Sequence, residues 1–537
     1  MKYFTTSESL QVGEIKNEPI HLFMQFFIHK NKKRYKEIKT CLKFNVANPW
    51  IQTIYLLNEN QPDGSYRPFT AKELGTDSDK IIQLPLGRRM EYADAFKYAH
   101  KLNRVGYNIV INADIFLDDS LQNLFRSNLH EKPLMMCQLR WEYDGTPGGI
   151  KLFGPRADSQ DAWIWHSNWN TLLINKKVFD FQLGQAGCDN HITYLFKLCG
   201  FGLVNDPGLV HCLHYHKTEI RDYSLKDVIK PPYILIIPEN VNGGKSDVSF
   251  EDNTVLYDYL RGKIEKNEPF VVPRIAGIEN AVAFNGHHNF TIHPQSIYNM
   301  KNNAGVYLPN EKSVKKYAES YLDAFRNCDL YTGWSTVGSD NVYAFYKQSH
   351  DFIEYTLCKT KKKLWAESAL EIYNYINYTP WTLALKGKRI LIISAFTESI
   401  KEKIAIREKI YGRDLFPECE FVFLKPPQLS GDNPSQEWQA EFTQFCAKLD
   451  SIRENYDVAL LSCGGMGNPI CNYIYTEHKK SAIYVGGVLS MFFGVWGKRW
   501  ANEKKSILKM YLNEHWSRPK VSERPLGWEK IEGGTYW

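Results

Sequence analysis

Along the first 240 positions the apolar residues fall in short runs set between amphipathic stretches. HLFMQFFI at 21–28, IQTIYLL at 51–57 and IIQL at 81–84 each read as a strand. Residues 31–42 are basic and helical in pattern, and 88–102 form a helix with Tyr92, Phe96 and Ala99 on one face. Strands alternating with helices predict βαβ units and a mostly parallel sheet. The run YNIVINADIFLD at 107–118 stands out. Its apolar part, Ile109-Val110-Ile111, reads as a buried central strand that stops at Asn112-Ala113-Asp114. Open α/β sheets bind ligands outside such carboxyl ends, and a carboxylate there suits a hard divalent cation with its phosphate. A turn-capping role is the plainer alternative for Asp114.

Further along, 134–143 reads as a strand and 159–165 as a loop entering an aromatic strand. Residues 181–189 read as a loop, 190–198 as a short helix stopped by Gly200 and Gly202, and 209–216 as a strand ending in His214-Tyr215-His216. The stretch NGGKSD at 242–247 looks like a linker, which places a domain boundary near 240 and gives domains 1–240 and 241–537. A helix over 254–266 leads into PFVVPRIAGIEN, and 304–378 reads as mostly helical. A second α/β pattern follows, with strands at 389–394, 419–424, 458–462 and 481–485 and a helix at 438–454. The turn Cys463-Gly464-Gly465-Met466-Gly467 comes directly after one of these strands.

The chain's 537 residues exceed what one core supports. A charge of +6 over that length does not argue for nucleic acid. Eleven cysteines without paired spacing suggest reduced thiols rather than a disulfide framework or zinc site. The amino terminus has no signal-type apolar segment, and no apolar run approaches the ~20 residues of a membrane span. These features predict a cytoplasmic protein with no nucleic-acid partner and no transmembrane segment.

Three features of the first half fall on what would be one sheet edge: Asn112-x-Asp114, Asp189 and His214-x-His216. Residues two apart on a strand face one side, so both imidazoles can address one site. A carboxylate and imidazoles from two strand ends could hold Mn2+ or Mg2+. A helix amino terminus favours the ionised form of Asp189, which could then serve as a general base. Trp163 and Trp165 are equally readable as core, and Asp161 as a turn cap.

The order NAD, then GCD before a helix, then GFGLVNDPGLVHCLHYH resembles glycosyltransferases of the GT-A fold. RRMEYADAF, NADIFLDDSL, SQDAWIW, GQAGCDNHI and HYHKTEIRDY resemble a subgroup found in large DNA viruses and some microbes. The resemblance spans roughly 18–230, and for a virus-encoded member it implies the host's cytoplasm. It implies that Asp114 binds the metal, with Asn112 where many relatives carry the first Asp of a DxD motif. It further implies that Asp189 is the base of an inverting transfer and that His214 or His216 completes the metal site. Arg89 and Tyr92 would bind the donor, Asp161 and Trp163 would face sugar or acceptor, and Arg221 with Tyr223 would contact the donor phosphates.

The second half, from PFVVPRIAGIEN through the glycine-rich turn to WSRPKVSERPLGWEKIEGGTYW, resembles a rarer fold called GT-D. Arg274 and Glu279 would match its arginine and its Asp-x-Glu motif, with Gly277 standing where that Asp would sit. Asp340 is a candidate substitute carboxylate. Gly465 and Gly467 could let backbone amides approach a phosphate. The expectation is therefore an α/β protein with two Rossmann-like domains, one GT-A-like and one GT-D-like. It would be a bifunctional transferase, taking UDP- or GDP-sugars as donors and a glycan as acceptor. The alternatives are one active domain beside a non-catalytic glycan-binding one, or a sugar nucleotidyltransferase. The latter usually has a glycine-rich loop after the first strand, which IHKNKKR at 28–34 lacks.

Overall fold

The computed structural model describes residues 2–61, 64, 65, 67–146, 148–174, 176–218, 220, 227–239, 249–334 and 341–537, with backbone alone over 341–345. The chain divides into two compact units, Met1–Ser249 and Phe250–Trp537. The predicted linker at 242–247 lies outside the described residues.

In the first unit, β1 (Lys2–Thr6) pairs in parallel with β13 (Tyr233–Ile237). The main sheet contains β2 (Ile20–Phe26), β3 (Ile51–Asn58), β4 (Ile81–Pro85), β5 (Tyr107–Ile111), β7 (Leu134–Gln138), β10 (Ala162–His166) and β11 (Gly202–Val204). Its order is β11-β7-β10-β5-β2-β3-β4. All neighbours are parallel except β10, which runs antiparallel to β5 and β7. β2 and β5 are buried along their whole length, as strands covered on both faces must be.

A second, smaller sheet decides where the chemistry sits. It is formed by β6 (Ile115–Leu117), β8 (Trp141–Tyr143), β9 (Ile150–Leu152) and β12 (Cys212–His214), in the order β6-β12-β8-β9. The predicted strand at 134–143 is therefore two strands in two sheets. The predicted strand at 209–216 shrinks to three residues, so His214 is its last residue and His216 lies beyond it. The shared strand face expected of the two histidines is not what brings them together.

Helix α1 (Lys32–Ala47) begins at Asn31, whose side chain accepts from the amides of Lys33 and Arg34. Its far end clamps β6. Asn45 Nδ2 donates to the Ile115 carbonyl at 3.0 Å, and the Leu117 amide donates back to Asn45 Oδ1 at 3.0 Å. After the short α2 (Ala71–Leu74), α3 (Tyr92–Leu102) starts four residues later than predicted. Arg88 stays outside that helix and pairs with Asp94 at 2.8 Å. Helix α4 (Cys188–Leu198) starts two residues earlier than predicted, which puts Asp189 in its first turn.

The second unit opens with α5 (Asp252–Glu265). Its sheet holds β14 (Val271–Val272), β17 (Arg389–Ser394), β18 (Glu420–Leu424), β19 (Val458–Ser462) and β20 (Ser481–Tyr484), in the order β14-β20-β19-β17-β18, all parallel. Helices α6 (Ile278–His288), α7 (Pro294–Asn302) and α8 (Glu311–Asn327) follow β14. The stretch 304–378, predicted as mostly helical, also carries a parallel pair, β15 (Leu330–Gly333) and β16 (Lys362–Trp365). A four-residue strand gives too little period-2 pattern to be seen between long amphipathic helices. All eleven cysteines are free thiols, ten of them buried and Cys463 half-buried. Among the described residues no helix is long and apolar enough to cross a membrane.

Candidate functional site

Strand register builds the first site. β5 delivers Asn112 and Asp114 at its carboxyl end, and β6 leaves directly afterwards. In the small sheet His214 lies opposite Ile115 on one side and Glu142 on the other. His214 is thus fixed between two acids: its Nε2 is 3.2 Å from Asp114 Oδ2 and its Nδ1 is 2.9 Å from Glu142 Oε2. His216 Nδ1 lies 3.5 Å from the same Asp114 oxygen. Ligand atoms of Asp114, His214 and His216 all lie within 4.8 Å of one another.

Arg34, from the first turn of α1, reaches Asp114 Oδ2 at 2.5 Å and Glu37 at 3.2 Å. Arg140 pairs with Glu142 at 2.7 Å and with Asp161 at 3.0 Å. Asn112 Nδ2 donates to Asp161 Oδ1 at 2.9 Å. The result is a chain of alternating charge, from Glu37 through Arg34, Asp114, His214, Glu142 and Arg140 to Asp161. Burial would raise the Asp114 carboxyl, but His214 and Arg34 outweigh it and hold it well below the usual carboxylate range. Burial lowers His214, yet Asp114 and Glu142 push it up to about 9. His216 is lowered, by burial and by Arg34.

Two atoms fit a cation held by this group. Asp114 Oδ1 carries no hydrogen bond among the described residues, all its contacts falling on Oδ2. His216 Nε2 is buried without a partner. One carboxylate oxygen with imidazole nitrogens is a donor set for Mn2+ more than for Mg2+, which prefers oxygen alone.

These residues line a cavity of about 420 Å³, within the range of small-ligand sites. Asn112, Asp161, Asp189 and Arg89 line it too. Gly187 starts the helix that carries Asp189, with φ of +77°. A Cβ there would meet the Tyr233 hydroxyl at 2.6 Å and the Ile229 carbonyl at 2.8 Å, so only glycine fits. Asp189 is half-buried and accepts from the Asn190 amide at 3.0 Å. The helix start was expected to favour its ionised form. Instead burial, reinforced by the charge of Asp161, pushes it up to about 7 against the pull of backbone amides. Arg34, Arg140 and Arg156 each pair with carboxylates, whereas Arg89 has no such pair among the described residues and spends only its Nε, on the Leu183 carbonyl at 3.1 Å.

Tyr92 and Trp163 are fully buried and pack edge to face, with ring centroids 5.1 Å apart. The Tyr92 hydroxyl lies 3.6 Å from Cys188 Sγ, next to Asp189 in the chain. Arg221, Tyr223 and Asp340 lie outside the described residues. Sequence reasoning missed Arg34, Arg140 and Glu142. The i, i+3 pair Arg34 and Glu37 on one face of a basic helix was the available signal for the first.

In the second unit, Arg274 and Glu279 stand just past the end of β14, Glu279 in the first turn of α6. Glu279 is buried, and burial with the charge of Glu532 raises its carboxyl against the pull of its own amide and Arg274. The Gly465 amide donates to the Ala304 carbonyl at 2.8 Å, so it is committed within the fold. Gly467 lies against the Tyr484 ring, which a Cβ would meet at 2.5 Å.

The class defined by these features is a mixed α/β protein with parallel sheets and a cavity at strand ends that combines a metal-type donor group with a separate carboxylate. No protein-family model and no curated protein sequence matches the chain. Solved structures similar to parts of it include GalNAc-T7 with UDP, GalNAc and Mn2+, at 12% identity and a TM-score of 0.28, covering 46% of this chain and 48% of that one. A mannosyltransferase from Pyrobaculum calidifontis in complex with GDP-Man and Mn2+ is similar at 9% identity and a TM-score of 0.28, covering 65% and 85%. A 4-diphosphocytidyl-2C-methyl-D-erythritol synthase from Anaerococcus prevotii DSM 20548 is similar at 12% identity and a TM-score of 0.26, covering 40% and 94%. The chain thus spans about half the length of the first of these.

Proposed function

We propose that the first unit is a glycosyltransferase that moves a sugar from a UDP- or GDP-sugar to a glycan hydroxyl with inversion. The supporting observation is the convergence, in one cavity at the carboxyl end of β5, of Asp114, His214 and His216 with the separate carboxylate of Asp189. Asp114, His214 and His216 would hold Mn2+ or Mg2+, whose chemistry there is to neutralise charge on a diphosphate. Arg89, the cavity arginine without a carboxylate pair among the described residues, receives an anionic group of the donor. Asp189 takes the acceptor proton as that oxygen attacks the anomeric carbon and the diphosphate leaves with the bonding electrons. Asn112 and Arg140 hold Asp161 beside this base. Arg221 stays with the donor phosphates as a matter of resemblance alone.

We further propose that the second unit is a transferase as well, GT-D-like, with Arg274 and Glu279 at its donor site, and that each unit is a domain in its own right. The test incubates the full chain with Mn2+ and a panel of nucleotide sugars, with and without glycan acceptors, and follows release of nucleoside diphosphate. Asp114→Ala and Asp189→Asn should each remove the first transfer, with Asp189→Asn keeping the donor-induced rise in unfolding temperature. First transfer surviving in Asp189→Asn, or a product of retained configuration, would overturn the assignment.

A further inference from the structure

The second unit lines up five strand ends. β16, β15, β14, β20 and β19 run parallel in that order, with the bridge from Arg274 to Thr332 joining β14 to β15. Within two residues of their carboxyl ends stand Glu367, Trp334, Arg274, Gly486 and Gly464. This is the edge at which parallel α/β sheets receive ligands.

Three charged side chains there are uncommitted. Arg274 has no ion-pair partner among the described residues. Its guanidinium lies against Gly486, where a Cβ would sit 2.7 Å from Nη1, and where φ is +76°. Glu279 is 9% exposed and has no side-chain partner among the described residues. Its charge helps to raise the hydroxyls of Tyr317, Tyr321, Tyr346, Tyr484 and Tyr536. Glu367 is half-buried in the short helix Ala366–Ala369, also without a side-chain hydrogen-bond partner among the described residues. Burial and Glu371 push its carboxyl upward, while its own amide, Lys504 and Arg274 oppose them. Glu367 and Arg274 stand two residues past the ends of β16 and β14, strands that flank β15 and so lie about 10 Å apart at the usual spacing. That span accommodates a sugar ring with its phosphate.

We infer that Glu367 is the general base of a second glycosyl-transfer site on this edge, with Arg274 receiving the donor diphosphate. The inference rests on reading the second unit as a transferase. Glu367 removes the acceptor hydroxyl proton, and the freed oxygen bonds to the anomeric carbon. The bond from that carbon to the diphosphate oxygen breaks, its electron pair leaving on the phosphate opposite Arg274. The proton ends on the Glu367 carboxyl and passes to water. A carboxylate brought in by β16 thereby supplies what Gly277 does not supply at the start of α6.

The test uses the full chain carrying Asp114→Ala, which silences the first unit. UDP and GDP binding is measured by calorimetry, and turnover with the donor panel and glycan acceptors. Arg274→Ala should weaken nucleotide binding at least tenfold. Glu367→Gln should bind nucleotide within twofold of its parent, keep the parent's unfolding temperature, and lose about 10²-fold in kcat. Glu367→Asp should recover part of that loss. Turnover of Glu367→Gln at the parent rate would overturn the base assignment and leave the second unit a transferase. If the Asp114→Ala chain binds neither nucleotide and turns over no donor, the transferase reading of that unit fails and the inference with it.

Discussion

The Asp189 carboxyl, raised by burial and by the charge of Asp161, gives the proposed transfer a pH dependence. Its folded-state value of about 7 lies above the ordinary 3.8, so activity should rise with pH through about 7 and then level off. The same shift acts on stability. The folded chain holds a proton that the unfolded chain releases between those two values, so stability falls as pH rises across that window. The pH–rate profile of the unaltered chain checks the first trend, and Asp189→Asn should remove the second, checked by urea unfolding at pH 4.5 and 7.5. Asp161→Asn should move the rate profile to lower pH, because it removes the charge that helps raise Asp189. His214 gives the opposite signature. Raised to about 9 by its acid neighbours, it stabilises the fold fully below about 6.5 and loses that contribution as pH rises through about 9. Mn2+ needs the neutral ring, so its affinity should climb about tenfold per pH unit in that range, measured by calorimetry with proton release. A flat profile would show that His214 is not a ligand.

At the scale of elements, Gly187→Ala should destabilise the first unit by roughly 2 kcal/mol, since left-handed backbone and two close oxygens leave no room for a methyl. It should also lower kcat by tilting the turn that carries Asp189. Urea unfolding with steady-state kinetics checks both. Elements with a long repeat were legible in the sequence: 21–28 and 51–57 show runs found as Ile20–Phe26 and Ile51–Asn58, and 389–394 matches Arg389–Ser394. The three-residue strand β6 was not, and β8 and β12 were read only as parts of longer strands at 134–143 and 209–216, because three positions carry no usable period of their own. The grouping of Asp114 with the two histidines was readable from residue type and order. Arg34 against Asp114 was not, since that contact joins residues 80 apart through tertiary packing. Trp163 was read both as core and as facing sugar or acceptor, and its ring is 0% exposed in the central part of the sheet while it still lines the cavity.

For the whole molecule, each unit has its own buried core and its own sheet, and each gathers charged side chains at the carboxyl ends of parallel strands. Main strand architecture was foreseeable from alternating runs. The charge chain in the first unit and the line of strand ends in the second were not, because both depend on which strand lies beside which. The cysteines carry a practical consequence. With ten of eleven thiols buried, a maleimide dye should react at most slowly, and only at Cys463, until the fold opens. Mass spectrometry of the labelled native and urea-unfolded chain would count them. One cysteine introduced on an exposed site of each unit, such as Val105 and Val521, would then accept a donor–acceptor fluorophore pair against a nearly silent background. Energy transfer between the two dyes would follow the separation of the units, molecule by molecule, while donor and acceptor glycans are added.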